Sequence, residues 1–575
     1  MKIAIISTSD NYGGASIAAN RLHKGLRSLN QDSTMLVRYK KSNEPGVIKV
    51  IGNNKEMKLE EKIFKTMERM AIEQNRSELS NTYLSLPYPG YNLAKVNIIR
   101  EADIINLHWV THFQSVESIA SLLKLGKPVV WTLHDENAFT GGCHYTAGCL
   151  KYREDCRDCL QLRDNRQQIP FHILNNKLKH RYDNLTIVTP SRWLAGCASA
   201  SKLFNGLRVE TIPNSVETDI FKPLEKKTAK KELGLAPGQI ALLFGTHIEN
   251  EKRKGFFNLL EALRYCLQDP NFKRLAKNGG IKILTFGPPP GDLKKLDIKF
   301  QSFGTIAEKD KLAVLYAAAD LFVLPSLEDN LPNTMLESMA CGTPVIGFAV
   351  GGMPDLIQNG MTGGLAPCFD NKKFAELILD LVFDAAKREQ MGRNCRHLIE
   401  QKFKLQDQAA NYLELFNDLY KHNISEGGET MFSSQYKEIS LTEWTPFLPG
   451  GEGIFEVYRK SALNLLKFLN SNTYRAWKII ARSVRVTEKL ISKITGKLSR
   501  LFRRIPTRLV NHFNRFEKKI NLGDQLEANY GRHRSGLKYG LSYLTNLHNP
   551  NGIVFDAFIE RTFCWHPGGI KPHTK

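Results

Sequence analysis

Asp329-Asn-Leu-Pro-Asn-Thr-Met-Leu-Glu337 stands between the strand-like run Leu321-Phe-Val-Leu-Pro-Ser326 and the apolar helix start Met335 to Ala340. It spaces two carboxylates eight residues apart around a helix N-terminus. Asp329 falls on the loop and Glu337 on the first turns, both beside free backbone N–H groups whose partial positive charge attracts phosphate. Such a place suits a nucleotide, held by its anionic middle and its hydroxyl-rich ends. A second reading of Glu337 stays open at this point. Thr334-Met-Leu-Glu337 is also a capping box, in which the glutamate does no more than satisfy N–H groups at the helix start.

On both sides of this stretch the chain alternates strand and helix patterns. Lys2 to Ser7 reads as a strand and Ala15 to Leu29 as a helix, and further strands fit Asp103 to Trp109, Pro128 to His134 and Leu185 to Pro190. Tyr12-Gly-Gly-Ala-Ser16 joins the first strand to the first helix. Gly13 and Gly14 there let the backbone approach a ligand at a helix N-terminus, although the spacing is not the G-x-G-x-x-G fingerprint and a plain tight turn is the competing reading. After Thr211-Ile-Pro-Asn-Ser-Val-Glu-Thr-Asp-Ile-Phe-Lys-Pro223, which suits an interdomain connection, a second alternation follows. Its strands are Ile240 to Thr246, Ile281 to Phe286, Leu321 to Pro325 and Pro344 to Phe348, and its helices Gly255 to Leu267 and Lys309 to Ala319. Helical patterns continue over Lys372 to Arg388 and Leu405 to His422. The expectation is an α/β chain with two doubly wound parallel-sheet domains facing a cleft, where ligands bind beyond the carboxyl ends of the strands. The boundaries expected are 1–210, 211–403, a closing helix at 404–424, and a basic, mainly helical extension at 425–575.

The chain has 575 residues and a formal net charge of +22. From Glu456 to Ile520 there are 17 Lys/Arg against three Glu, and Trp477, Ile480, Val484, Ile491, Ile494, Leu498, Leu501 and Ile505 recur at helical spacing among them. This basic amphipathic pattern favours an anionic membrane surface over a homotypic coiled coil, in which so many like charges repel, while a cover for part of the catalytic core stays open. Nucleic acid is not expected, because no stacking motif or recognised binding module accompanies the charge. Met1-Lys-Ile-Ala-Ile-Ile-Ser7 reads as a first strand and not a signal peptide, and no apolar run approaches membrane-spanning length. A cytoplasmic protein, peripheral at the inner face of the membrane, is expected. Of ten cysteines, Cys143, Cys149, Cys156 and Cys159 fall in one turn-rich segment ending in C-x-x-C. A structural zinc knot or reduced loop thiols both fit them. No function is assigned to residues 530–575.

The longer run Pro325-Ser-Leu-Glu-Asp-Asn-Leu-Pro-Asn-Thr-Met-Leu-Glu-Ser-Met-Ala-Cys-Gly-Thr-Pro-Val-Ile-Gly-Phe-Ala-Val-Gly-Gly-Met-Pro-Asp355 closely resembles the donor-site signature of glycosyltransferase family 4, retaining nucleotide-sugar enzymes of group 1 type with the GT-B fold. Thr132-Leu-His-Asp135, the Ile212 to Pro223 run and Arg253-Lys254-Gly255 extend the resemblance over residues 1–422.

The resemblance implies that the donor nucleotide binds mainly to the second domain. Glu337 then accepts hydrogen bonds from ribose hydroxyls and Asp329 from hydroxyls of the transferred sugar, while Lys254 and Arg253 face the diphosphate and His134 positions the sugar. Gly13, Gly14, Asn330, Leu331, Asn333 and Thr334 complete the donor-binding set. It also implies retention by same-face attack, with a donor phosphate oxygen taking the acceptor proton, no protein nucleophile and no required metal or other cofactor. Fixed cations and backbone N–H groups suit this chemistry, since breaking the anomeric bond loads negative charge on a nucleoside diphosphate. The expected partners are a nucleoside diphosphate sugar and a growing glycan acceptor, lipid-linked and destined for a surface polysaccharide. Another GT-B activity, such as an epimerase or phosphorylase, and a non-catalytic membrane- or glycan-binding scaffold remain as alternatives. Departures from the family pattern are Asp329 where many relatives have glutamate, with Glu328 beside it, Pro332 in the loop, and no arginine near Phe244-Gly-Thr-His247.

Overall fold

Lys2–Ser9 (β1) is buried from its second residue onward, which marks a central parallel strand covered on both faces. Its side chains alternate between two cores. Ile3 and Ile5 pack on one face with Leu22 and Leu26, and Ala4 and Ile6 on the other with Leu36 and Leu107. A computed structural model describes residues 1–425 apart from 53–60, 63, 67, 70, 79–81, 181, 246–250 and 288–290. The basic amphipathic pattern at 456–520 and the end at 530–575 lie outside the described residues, as do Thr246 and His247.

With β1, the strands Asp32–Tyr39 (β2), Val47–Lys49 (β3), Ile104–Leu107 (β4), Val129–Thr132 (β5), Leu185–Thr189 (β6) and Val209–Thr211 (β7) form one parallel sheet, ordered β3-β2-β1-β4-β5-β6-β7. A second parallel sheet comprises Ile240–Gly245 (β8), Ile281–Phe286 (β9), Lys299–Ser302 (β10), Leu321–Leu324 (β11), Val345–Phe348 (β12) and Gly363–Ala366 (β13), ordered β10-β9-β8-β11-β12-β13. The two doubly wound parallel sheets of the GT-B fold are thus present. Each order reverses once, between β1 and β4 and between β8 and β11. These switch points open crevices at the carboxyl ends of the strands, and the loops that carry Gly13, His108, Lys254 and Asp329 leave from those ends.

The chain crosses between the lobes twice, and the crossings are joined where Val216 N–H donates to Phe403 O at 2.9 Å. After the second crossing, the Leu405–Ser425 helix returns to the first sheet and buries Ala409, Tyr412, Leu415 and Phe416 against Ile3, Ile5 and Leu22. The helical pattern at Lys372 to Arg388 resolves into two helices, Asn371–Phe383 and Ala385–Lys402, separated at Asp384, whose side chain caps the second. Among the described residues no helix is long and apolar enough to cross a membrane.

For the cysteine segment a zinc knot and reduced loop thiols are the two expectations. Cys143, Cys149, Cys156 and Cys159 are free thiols, and among the described residues no group of three or more His, Cys, Asp or Glu side chains is placed to hold a metal ion. Packing orders the segment. Cys143 and Cys159 pack against the cluster of Ile72, Leu84, Leu162 and Ile173, and Cys156 joins the first-lobe core. Burial pushes the Cys143 thiol well above its ordinary value and that of Cys156 up to about 11, so these behave as small core residues.

Candidate active site

Asp329 follows β11 and is buried, yet it accepts from Lys254 Nζ at 2.6 Å and lies 3.6 Å from Arg253 Nη1. Its own neighbour Asn330 N–H and the Ser326 hydroxyl add bonds at 3.1 and 3.3 Å. Burial alone raises a carboxyl, but here Lys254 and Arg253 outweigh it and hold Asp329 below the usual carboxylate range. Arg253 works in the other direction. Burial disfavours its charge, while Tyr145, Asp329 and Glu251 more than restore it. The predicted diphosphate cations and the predicted sugar-binding carboxylate therefore meet at one point, beside the switch point of the second sheet.

Two glycines make that meeting possible. Gly255 adopts φ +68°, and a Cβ there would stand 1.7 Å from Pro325 O; the preceding turn is tied to the β11 loop by Leu327 N–H donating to Arg253 O at 2.6 Å. Gly351, at φ +54°, places its α-carbon against the Asp329 carbonyl, which a Cβ would approach to 1.6 Å. Gly255→Ala is therefore expected to destabilise the protein by at least about 1–3 kcal/mol from backbone strain, with the clash in addition. Urea denaturation measures this, and wild-type stability in the variant would mean that Lys254 is not held by this turn.

Glu337 lies in a second, neighbouring cluster. The Asn333–Ala340 helix has Pro332 at its N-cap and no side-chain cap, so the capping-box reading does not hold. Instead Glu337 Oε1 accepts from Arg21 Nη2 at 2.8 Å and Oε2 from the Tyr316 hydroxyl at 3.3 Å. Arg21, on the Gly14–Ser28 helix of the first lobe, is 1 % exposed and also donates to Glu217 at 2.7 Å, while Lys309 meets Glu217 at 2.6 Å. The two carboxylates on one arginine differ. Burial opposes ionisation of both, but Arg21 and Lys309 together bring Glu217 down to about 2, whereas burial and the nearby Glu217 charge leave Glu337 above the usual range despite Arg21. Arg21 Nη1 is buried with no partner among the described residues. Next to this cluster, Asn333 Nδ2 donates to Gly14 O at 2.9 Å, which brings the predicted Gly13-Gly14 turn onto the helix start. Leu331 is buried and its carbonyl accepts from Asn214, and Thr334 is half-buried on the first turn.

The first lobe reaches the Asp329 cluster by two routes. Asn330 Nδ2 donates to His134 O at 3.2 Å, and Ser191 holds its Oδ1 at 2.6 Å. The second route is the cysteine-bearing loop. Tyr145 lies under the Arg253 guanidinium, 4.0 Å from ring centroid to Cζ, with its hydroxyl 3.4 Å from Asp329. Beside it the Thr146 hydroxyl is 3.5 Å from both Glu136 and Glu328, so two carboxyls face each other across the lobe junction. Burial, then Glu328, raises Glu136 well above its ordinary value, and burial raises Glu328 as well.

A group whose folded value is raised contributes stability below its unfolded value and loses it as pH rises. Glu136→Gln, which keeps an acceptor for Thr146 N–H, is therefore expected to be more stable than wild type at pH 8, by about 1.4 kcal/mol for every tenfold by which burial disfavours the ionised carboxyl. The difference should close as pH falls toward the ordinary value of 4.5. Paired thermal unfolding at the two pH values checks this, and a pH-independent difference would refute it.

The contacts made by Arg21, Glu217, Lys309, Tyr145 and Glu136 are not legible in the sequence. Glu217 alone carried a signal, since it stands in the Ile212 to Pro223 run; the others depend on contacts between distant segments. The model of the family described as "Glycosyl transferases group 1" matches residues 239–384. The N-acetyl-alpha-D-glucosaminyl L-malate synthase of Bacillus anthracis is 27% identical over 214 residues, 37% of this chain and 54% of that protein. The D-inositol 3-phosphate glycosyltransferase 1 of Catenulispora acidiphila is 30% identical over 192 residues, 31% of this chain and 44% of that protein. The chain thus spans about half the length of these relatives. A solved structure of sucrose-phosphate synthase from Thermosynechococcus elongatus overlaps 73% of this chain and 99% of its own, at 19% identity and a TM-score of 0.48.

Proposed function

We propose that this chain, whose residues 239–384 match the group 1 glycosyltransferase model, transfers a hexose from a nucleoside diphosphate sugar to a glycan acceptor with retention of anomeric configuration. The observation that carries the reading is the meeting of Lys254, Arg253 and Asp329 at the carboxyl end of the second sheet. In the proposed reaction Lys254 and Arg253 turn to the diphosphate as the anomeric C–O bond breaks, offsetting the charge that develops on the leaving group. Asp329 and His134 hold hydroxyls of the sugar, and Glu337 those of the ribose. The acceptor hydroxyl attacks from the face the leaving group occupies, and its proton passes to a donor phosphate oxygen. No step calls on a metal ion, so transfer should survive chelation.

The acceptor we propose is a lipid-linked glycan of surface polysaccharide synthesis, reached at the cytoplasmic face of the membrane through the basic pattern at 456–520. Its charge supports this, since each Lys/Arg near an anionic bilayer contributes about 1 kcal/mol. A small polar acceptor is the second reading, favoured by the malate and inositol phosphate in the names of the two relatives. A panel of nucleotide sugars, scored by thermal stabilisation and then by transfer to each acceptor class, tests the proposal. Stabilisation by none of them would end it, and an inverted product anomer would end the retaining mechanism. Flotation with anionic liposomes, before and after deletion of residues 456–520, tests the membrane part; equal binding by both proteins removes it.

A further inference from the structure

Asn106, on β4, is fully buried, and its Nδ2 lies 3.0 Å from Val130 O and 3.0 Å from Thr132 Oγ1. A carbonyl oxygen only accepts, so the amide is fixed with Oδ1 turned to His108 Nε2 at 2.9 Å. That nitrogen must carry hydrogen. His108 is 2 % exposed, and burial, then the neighbouring His134, push its pKa far below the ordinary value, so the ring is neutral and its Nδ1 is a lone pair. Nδ1 faces His134 Nε2 at 2.9 Å, with the two rings stacked 5.2 Å apart. His134 Nε2 must therefore donate. His134 is also neutral, lowered to about 4 by burial against the opposing pull of Asp135. Its Nδ1 is left as a second lone pair with no donor among the described residues, on a half-buried side chain whose own carbonyl holds Asn330 of the donor-side loop. The far end of the relay is anchored as well. Thr132 Oγ1 lies 2.9 Å from the Tyr412 hydroxyl of the Leu405–Ser425 helix.

We propose that Asn106 and His108 are positioning residues that lock His134 as the Nε2–H tautomer, so that its Nδ1 presents a bare acceptor that takes a hydroxyl of the bound sugar and refuses a carboxylate in the same place. The ligand half of this inference rests on the sugar-transfer reading; the tautomer half does not. A donor sugar with a neutral hydroxyl there gains a hydrogen bond, whereas a hexuronate brings acceptor against acceptor with no proton between them.

The test uses the full chain labelled with nitrogen-15 at histidine, with His134 assigned by its loss in His134→Gln. Near neutral pH the two-bond proton–nitrogen spectrum should show hydrogen on Nε2 and none on Nδ1, and His108→Leu should replace this by a mixture of tautomers. His108→Gln, which keeps an acceptor and a donor, should restore most of the single form. Nucleotide hexoses should bind the wild type about tenfold or more tightly than the matching hexuronates, and His108→Leu should narrow that ratio and raise the donor KM more than it lowers kcat. A proton on Nδ1, or a tautomer unchanged in both His108→Leu and Asn106→Leu, overturns the inference whatever the protein transfers. With the tautomer as expected, equal binding of hexose and hexuronate donors overturns the selectivity alone, and binding of no nucleotide sugar overturns the sugar-transfer reading.

Discussion

Glu337→Ala is expected to lower the unfolding free energy by about 3–5 kcal/mol, the range for breaking a buried ion pair at one end. Arg21, Lys309, Glu217 and Glu337 together carry two positive and two negative charges, all but Lys309 being buried. Removing Glu337 leaves a net positive charge where water cannot reach it. The double variant Arg21→Met, Glu337→Leu restores the balance, with Lys309 still on Glu217, and should be more stable than Glu337→Ala although it has lost more polar contacts. Urea denaturation of both proteins decides the matter, and a double variant weaker than the single would show that the charges are not coupled as the geometry implies. The same variant bears on function. The carboxylate that the proposed reaction assigns to ribose is engaged by Arg21 from the other lobe, so a nucleotide must share or release that bond, and Glu337→Ala should lose thermal stabilisation by any donor.

Lys254→Ala is expected to reduce kcat/KM by about 10²–10³, comparable with deleting one group that meets developing charge in a transition state. Its effect on folding should be smaller than that of Glu337→Ala. Asp329 keeps Arg253, Ser326 Oγ and the Asn330 amide, and the lysine head is itself a quarter exposed. The loss should fall in kcat as well as in KM, because in the proposed reaction the ammonium binds the leaving diphosphate more strongly as it separates than in the intact donor. Lys254→Arg keeps the charge but not the compact head, and should recover only part of the rate. Transfer at the wild-type rate in Lys254→Ala would remove this residue from the reaction.

The strands that were legible are those with unbroken apolar runs, such as Ile240–Gly245 and Leu321–Leu324. Asp32–Tyr39 was not, because it opens on Asp32-Ser33-Thr34 and carries Arg38; Ser33 is nonetheless fully buried, since His23 Nδ1 meets its hydroxyl at 2.8 Å. Gly363–Ala366, with two glycines in four residues, has no strand signal, and its pairing is set by β12 beside it. At the site, Lys254 and Asp329 were within reach because each stands on a loop at the end of a recognisable strand. Arg21 was not. Among Ala18, Ala19 and Leu22 it reads as a helix residue of no special kind, and its two partners lie 196 and 316 residues further along the chain. The Thr334 to Glu337 pattern was compatible with a local and a long-range role, and only the position of Pro332 at the helix start separates them.

The return of Leu405–Ser425 to the first sheet sets an order of assembly during synthesis. The face formed by Ile3, Ile5, Leu22 and Leu26 is not covered until Tyr412 and Phe416 have left the ribosome, by which point every strand of the other sheet has emerged. The later-made sheet can therefore close first, and the earlier-made one waits with an oily surface exposed. Chains halted shortly before residue 405 should be captured by chaperones through that surface, whereas those halted far enough past residue 425 for this helix to clear the ribosome should not.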